Sequence, residues 1–179
     1  MNYFELFEIP VSLIVDQKNL PLKYFALQKK YHPDFFANAG EEEKAEMLEK
    51  SSMINKGFKV LKDPDTTIKY LLELKGLLQE EEKYELPPDF LMEMMELNEG
   101  LMDDDVLNME ETETKIFQFQ KTLYDEVQNI VENYSEDRTT EAQLLQVKDY
   151  YYKKKYLKRI LERLEGMRNV SDEKKPIDS

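Results

Sequence analysis

The side chain best equipped for chemistry in this 179-residue chain is its single histidine. His32 is followed by Pro33 and Asp34, directly after a run of helix-forming residues. His32 and Asp34 could pair as base and orienter, but general base catalysis needs a reacting group within reach. No nucleophile lies nearby in sequence, there is no second histidine, and Pro33 stiffens a loop that would have to close. The lack of cysteine excludes disulfides, thiolate nucleophiles and Cys-ligated zinc or iron–sulfur sites within the chain. No spacing supports a carboxylate metal site either, so no catalytic residue, metal or cofactor is expected. Two readings of the tripeptide remain, evenly matched on these residues alone. One is a binding loop. The other is a plain helix end, with a His that suits the dipole and a Pro-Asp turn.

A second constellation spans Phe90 to Met102. At about 100° per residue, Phe90, Met94, Leu97 and Leu101 share one side of a helix. Leu91, Met92, Met95 and Met102 share another, flanked by Glu96 and Glu99. One stripe suffices to pack a bundle. The surplus stripe is unbranched and Met-rich, an adaptable surface of the kind that binds other proteins. The last long helical stretch is doubled in the same way. Val147, Tyr150, Leu157, Leu161 and Leu164 form one stripe, and Leu145, Tyr152, Tyr156, Ile160 and Met167 a second. Tyr152 and Tyr156 suit an interface, because tyrosine buries its ring while keeping its hydroxyl wet.

Charge narrows the partners. Lys and Arg number 25 and Asp and Glu 38, a net charge of −13. Residues 1–76 carry 11 basic and 12 acidic side chains, and residues 77–179 carry 14 and 26, so the acidity belongs to the second half. Such a balance repels nucleic acid and anionic lipid and suits protein partners. No apolar run approaches the roughly 20 residues of a spanning helix, and the N-terminal MNYFELFEIP is not built as a signal or transit peptide. A cytoplasmic monomer is expected.

The elements that must position these residues are all helical. Gly and Pro are few (5 and 7), and apolar residues recur at helical spacing nearly throughout. Helices are predicted over 3–9, 20–31, 41–62 and 66–74, then over 89–102, 110–134 and 139–167. Pro21 suits a first turn, and Pro33 ends the second helix. The third carries the seam Met47, Ser51, Ile54, Phe58, Leu61. Asp63-Pro64 punctuates, and Gly76 suits a helix C-terminus. The segment 77–88 reads as an acidic linker, and Asp89 as an N-cap. Asp103-Asp104-Asp105 marks a break, and 171–179 reads as a polar tail. The expected architecture is therefore a four-helix unit over 1–76, hinged to a three-helix bundle over 89–170.

Three stretches of the first unit together resemble the J-domain family. They are Tyr3-Phe4-Glu5-Leu6, the approach Leu27–Tyr31 to His32-Pro33-Asp34, and Ile54-Asn55-Lys56-Gly57-Phe58 with Leu61-Lys62-Asp63-Pro64. That family has Ala where this chain has Gly57, and often Lys where it has Phe35. The resemblance implies a loop that docks on a DnaK-class (heat-shock protein 70 family) chaperone and stimulates its ATPase. His32, Pro33 and Asp34 would be the switch, and Lys23, Lys29 and Lys30 would steer toward an acidic partner surface. The run Phe90-Leu91-Met92-Glu93-Met94-Met95-Glu96-Leu97-Asn98-Glu99, with Tyr70–Gly76, is similar to signatures of the HscB-type co-chaperones of iron–sulfur cluster biogenesis. This narrower resemblance implies that Leu91, Met92, Met95, Glu96 and Glu99, with Tyr152 or Tyr156, bind an IscU-type scaffold protein. It also implies HscA, or a general DnaK, as the chaperone. A J-domain protein serving a different client is the alternative.

Overall fold

The structure, a computed structural model, describes residues 1–102 and 106–173, with side chains except at 106, 107 and 171–173. Its regular elements are helical: α1 (Tyr3–Leu6), α2 (Leu20–Tyr31), a 3-10 turn (Pro33–Phe36), α3 (Glu41–Leu61), α4 (Pro64–Leu74), α5 (Pro88–Met102), α6 (Val106–Glu132) and α7 (Glu141–Glu173). Two compact units divide the chain. Residues 1–80 group with 130–144, and 81–129 group with 145–179. This partition differs from the expected 1–76, 77–88 and 89–170, because the segment joining α6 to α7 joins the first unit. Its Glu136 pairs with Lys75 at 2.6 Å.

In the first unit α3 is the central element, packed by α1, α2, the 3-10 turn and α4. Phe4, Phe7, Leu13, Leu20, Ile54, Leu61, Leu71 and Leu72 are fully buried. The segment 54–64 shows why its residue types are needed. Ile54 fills the core. The Asn55 Oδ1 accepts hydrogen bonds from the Tyr24 hydroxyl (2.9 Å) and the Gln28 amide (2.7 Å), tying α2 to α3. Phe58 stacks on Tyr24 with centroids 4.2 Å apart. Phe58 is therefore half-buried, and Gly57 takes its place in the buried seam. A Cβ on Gly57 would lie 2.9 Å from both the Phe7 and Tyr3 rings. Asp63 and Pro64 start α4, two residues before the predicted start. The Asp63 carboxylate accepts from the Thr66 N–H at 2.9 Å, and Pro64 occupies the first turn, where its missing N–H costs nothing.

Two helix ends in this unit close alike. The Leu77 N–H donates to the Leu72 carbonyl and Gly76 to Glu73, with Gly76 at φ 71°. The Ile9 N–H donates to Phe4 and Glu8 to Glu5, with Glu8 at φ 51°. This paired pattern requires a left-handed residue, usually glycine. At α1 a glutamate fills it, and α1 ends at Leu6 rather than at the predicted Ile9.

In the second unit Phe90, Met94 and Leu101 of α5, Met109, Ile116, Leu123 and Val127 of α6, and Val147, Leu157 and Leu164 of α7 are buried. All three helices have boundaries that depart from expectation. Helix α5 begins at Pro88, so Asp89 lies in its first turn rather than capping it. Helix α6 spans 106–132 rather than 110–134. Helix α7 begins at 141 and continues to Glu173, past the predicted end at 167. Its start is set by a reciprocal pair: the Gln143 N–H donates to Thr140 Oγ1 (3.2 Å), and the Thr140 N–H to Gln143 Oε1 (2.9 Å). The expected break at 103–105 and the last six residues of the expected tail lie outside the described residues.

The acidic segment before α5 is not a free tether. Glu82 pairs with the buried Lys148 at 2.6 Å. The Tyr84 hydroxyl donates to Asp149 at 2.8 Å, and its ring stacks on Tyr152 with centroids 4.4 Å apart. Burial and the neighbouring Asp149 carboxylate raise the Tyr84 pKa well above the ordinary tyrosine value.

Candidate functional sites

The first candidate site lies at the C-terminal end of α2. Pro33 forces the residue before it out of the helical region, and His32 accordingly sits at φ −65°, ψ 130°. Its Nδ1 accepts the Asp34 N–H at 3.3 Å, which caps the 3-10 turn and leaves Nε2 to carry the proton of the neutral ring. The Asp34 carboxylate stands 3.6 Å from Nδ1, beyond hydrogen-bonding distance. It is 87% exposed, so the charge is available to a partner. Phe35 is exposed and meets His32 edge-on.

Lys29 and Lys30 are exposed beside this loop. The neighbouring Tyr31 side chain raises the Lys30 pKa above the ordinary lysine value, and the Lys30 Nζ lies 5.1 Å from the Tyr31 ring centroid. Lys23 is held differently. Its Nζ donates to the Glu8 carbonyl at 3.0 Å, so it fastens α2 to the end of α1. Sequence reasoning passed over Leu22 and Phe25, which are 68% and 67% exposed on α2. Their spacing to Lys29 (seven and four residues) places all three on one face. That spacing was visible, but it equally suits a core stripe.

The second candidate site is the outer face of α5. Phe90, Met94 and Leu101 are buried, whereas Leu91, Met92, Met95 and Met102 are exposed. Glu96 and Glu99 are exposed on the same side. The five expected residues thus share one open surface. The two tyrosines are placed differently from one another. Tyr152 stacks on Tyr84 and is half-buried within the unit. Tyr156 lies edge-on to Phe90 with centroids 6.0 Å apart, and it lines a groove between α5 and α7 with Asn98, Arg159, Ile160 and Arg163. Arg159 and Arg163 were not singled out from the sequence, because two arginines among so many helix-surface charges carry no local signal.

Among the described residues no group of His, Cys, Asp and Glu is arranged to hold a metal. No helix among them is long and apolar enough to cross a membrane.

The family described as the HSCB C-terminal oligomerisation domain matches residues 86–165. A co-chaperone protein HscB homolog of Shewanella woodyi is 34% identical over 171 residues, covering 92% of this chain and 97% of the relative. An HscB homolog of Vibrio cholerae is 43% identical over 102 residues, 56% of this chain and 60% of the relative. Among solved structures, chaperone HscB from Vibrio cholerae superposes with a TM-score of 0.74 at 30% identity, over 97% of this chain and 99% of that one. Human co-chaperone protein HscB superposes with a TM-score of 0.77 at 30% identity, over 92% and 81%. Likeness of this extent, over nearly the whole chain and in both sequence and fold, places the chain in the HscB family of co-chaperones.

Proposed function

We propose that this chain is an adaptor with two working faces that couples an IscU-type iron–sulfur scaffold protein to the ATP cycle of an HscA or DnaK-class chaperone. The observation that carries the reading is the outer face of α5. Leu91, Met92 and Met95 are exposed apolar side chains on a helix whose opposite side is already buried, with Glu96 and Glu99 beside them. Exposed methionines packed closely on one surface are costly unless a partner covers them. The scaffold would sit there. The chaperone would dock on His32-Pro33-Asp34 with Lys29 and Lys30. Pro33 pre-orders that loop and so reduces the entropy lost on docking, and Asp34 offers a carboxylate to a partner arginine. In this reading the chain stimulates the chaperone's ATPase, aids cluster assembly and transfer, and has no active site or cluster of its own.

Two variants test it. His32→Gln should abolish stimulation of the chaperone's ATPase while scaffold binding, measured by titration calorimetry, is unchanged. Ala at Leu91, Met92 and Met95 should remove scaffold binding and leave the basal stimulation intact. Loss of both activities in both variants, with circular dichroism unchanged, would refute the separation of faces. A different client protein recovered in place of the scaffold would refute the scaffold half alone.

A second reading has one observation in its favour: the matching family is described as an oligomerisation domain. The α5 face would then pair two copies of this chain. Light scattering decides it, since a dimer abolished by Met92→Glu with Met95→Glu would favour self-association.

A further inference from the structure

The apolar stripe of α5 does not end at its own helix. Residues 91, 95, 98 and 102 are spaced by four, three and four, so Asn98 continues the line of Leu91, Met95 and Met102. Asn98 also lines a groove of about 230 Å³ with Tyr156, Arg159, Ile160 and Arg163 of α7. Arg159 and Arg163 are exposed and one helical turn apart. Neither takes part in an ion pair among the described residues. They stand in an acidic stretch: residues 77–179 carry 26 acidic side chains against 14 basic ones. Lys115, Lys121, Lys148, Lys153 and Arg168 of the same unit all have carboxylate partners. Asn98 also carries an unused group, its Oδ1, which is buried with no hydrogen-bond partner.

We propose that Arg159 and Arg163 form a carboxylate-reading site that completes the scaffold-binding surface, holding an acidic side chain of the scaffold next to the apolar contact at Leu91, Met92 and Met95. The inference rests on the scaffold reading above and deepens it. Two guanidinium groups offer ten N–H donors in planar forks suited to a carboxylate. Drawn into the groove by that carboxylate, one of them has a donor to spare for the Asn98 Oδ1, so docking also satisfies the buried acceptor. At about 100° per residue, Glu96 and Glu99 lie on the other flank of the α5 stripe from Asn98. The surface is therefore acidic along one edge and basic along the other. A partner with the opposite arrangement fits in one orientation only, because reversing it sets like charges against each other.

Titration calorimetry of the full chain with an IscU-type scaffold protein tests this. Arg159→Gln with Arg163→Gln should weaken binding roughly tenfold, the loss of about one charge-assisted hydrogen-bonded contact. Arg159→Lys with Arg163→Lys, which keeps charge and helix propensity, should weaken it by less. Lys158→Glu, a charge reversal on another face of the same helix, should change it by less than the glutamine pair does. Binding of the glutamine pair within about twofold of the parent, while Ala at Leu91, Met92 and Met95 still removes binding, would overturn the carboxylate site and leave the scaffold reading standing. Full binding by that triple variant would instead overturn the scaffold reading itself. An effect of Lys158→Glu as large as that of the glutamine pair would overturn the local site in favour of general charge attraction.

Discussion

Removing the Glu82 carboxylate should cost more stability than removing the ammonium it pairs with, although either change breaks the same 2.6 Å contact. The Lys148 side chain is 11% exposed and that of Glu82 28%, so the cation is the more deeply placed partner. At that separation the gross attraction is about 6 kcal/mol at an effective dielectric of 20. Desolvating the two ions costs several kcal/mol each and largely offsets it. The intact pair therefore adds little net stability, and the cost lies in stranding one member. Glu82→Ala leaves a buried ammonium with, among the described residues, only the Tyr84 ring, 5.6 Å from its nitrogen, for compensation. Breaking a fully buried pair costs about 3–5 kcal/mol. Water reaching the vacated Glu82 position reduces this to about 2 kcal/mol. Lys148→Met removes the charge and keeps most of the volume, while Glu82 can turn to solvent, so it should cost less than about 1 kcal/mol. Adding Lys148→Met to Glu82→Ala should restore most of the loss. Urea unfolding followed by far-ultraviolet circular dichroism gives the three values. Amide exchange over residues 81–86 reports whether the segment has come loose. If Lys148→Met proved as costly as Glu82→Ala, the stranded-charge reasoning would be wrong.

Tyr84→Phe should cost about 1 kcal/mol at neutral pH, the net worth of the bond to Asp149. Because the folded chain holds the Tyr84 pKa above the unfolded value near 10, its contribution is fully present below that pH and is lost as pH rises beyond it. Alkaline unfolding midpoints of parent and variant should therefore converge. A gap in the parent's favour that widens above pH 10 would contradict this. Glu8→Gly should raise stability by about 1 kcal/mol, since glycine takes the left-handed φ of 51° without strain while the Lys23 bond goes to a backbone carbonyl and survives. A lower melting temperature would show that the Glu8 side chain matters in its own right. Gly57→Ala gains about 1 kcal/mol of helix propensity but sets a methyl 2.9 Å from two rings. Overpacking of about 1–3 kcal/mol should win, and a raised melting temperature would mean that Tyr3 and Phe7 give way freely.

Much of the fold was legible because its signals are local. Pro21 and Pro33 bound α2, and both ends of that helix agree with expectation, since each proline acts on its own backbone and its immediate neighbour. Gly76 closes α4 as expected for the same kind of reason. The HscB resemblance was also legible, because it rests on runs of adjacent residues. Other boundaries moved by a few residues, both beside a proline, as at the start of α4, and away from one, as at the start of α6, where nothing in the side-chain types of 106–109 marks a beginning.

The sequence by itself determined the helices, the two apolar stripes of α5 and the exposed Asp34 at the end of α2, all consequences of spacing along one chain. Only the tertiary structure decided which stripe of α5 is covered, that Tyr152 is taken up by Tyr84 while Tyr156 borders a groove, and that Arg159 and Arg163 stand beside Asn98 without carboxylate partners. Periodicity records which side chains share a face of one helix. It carries no record of which other helix, some 60 residues away along the chain, brings its side chains to that face.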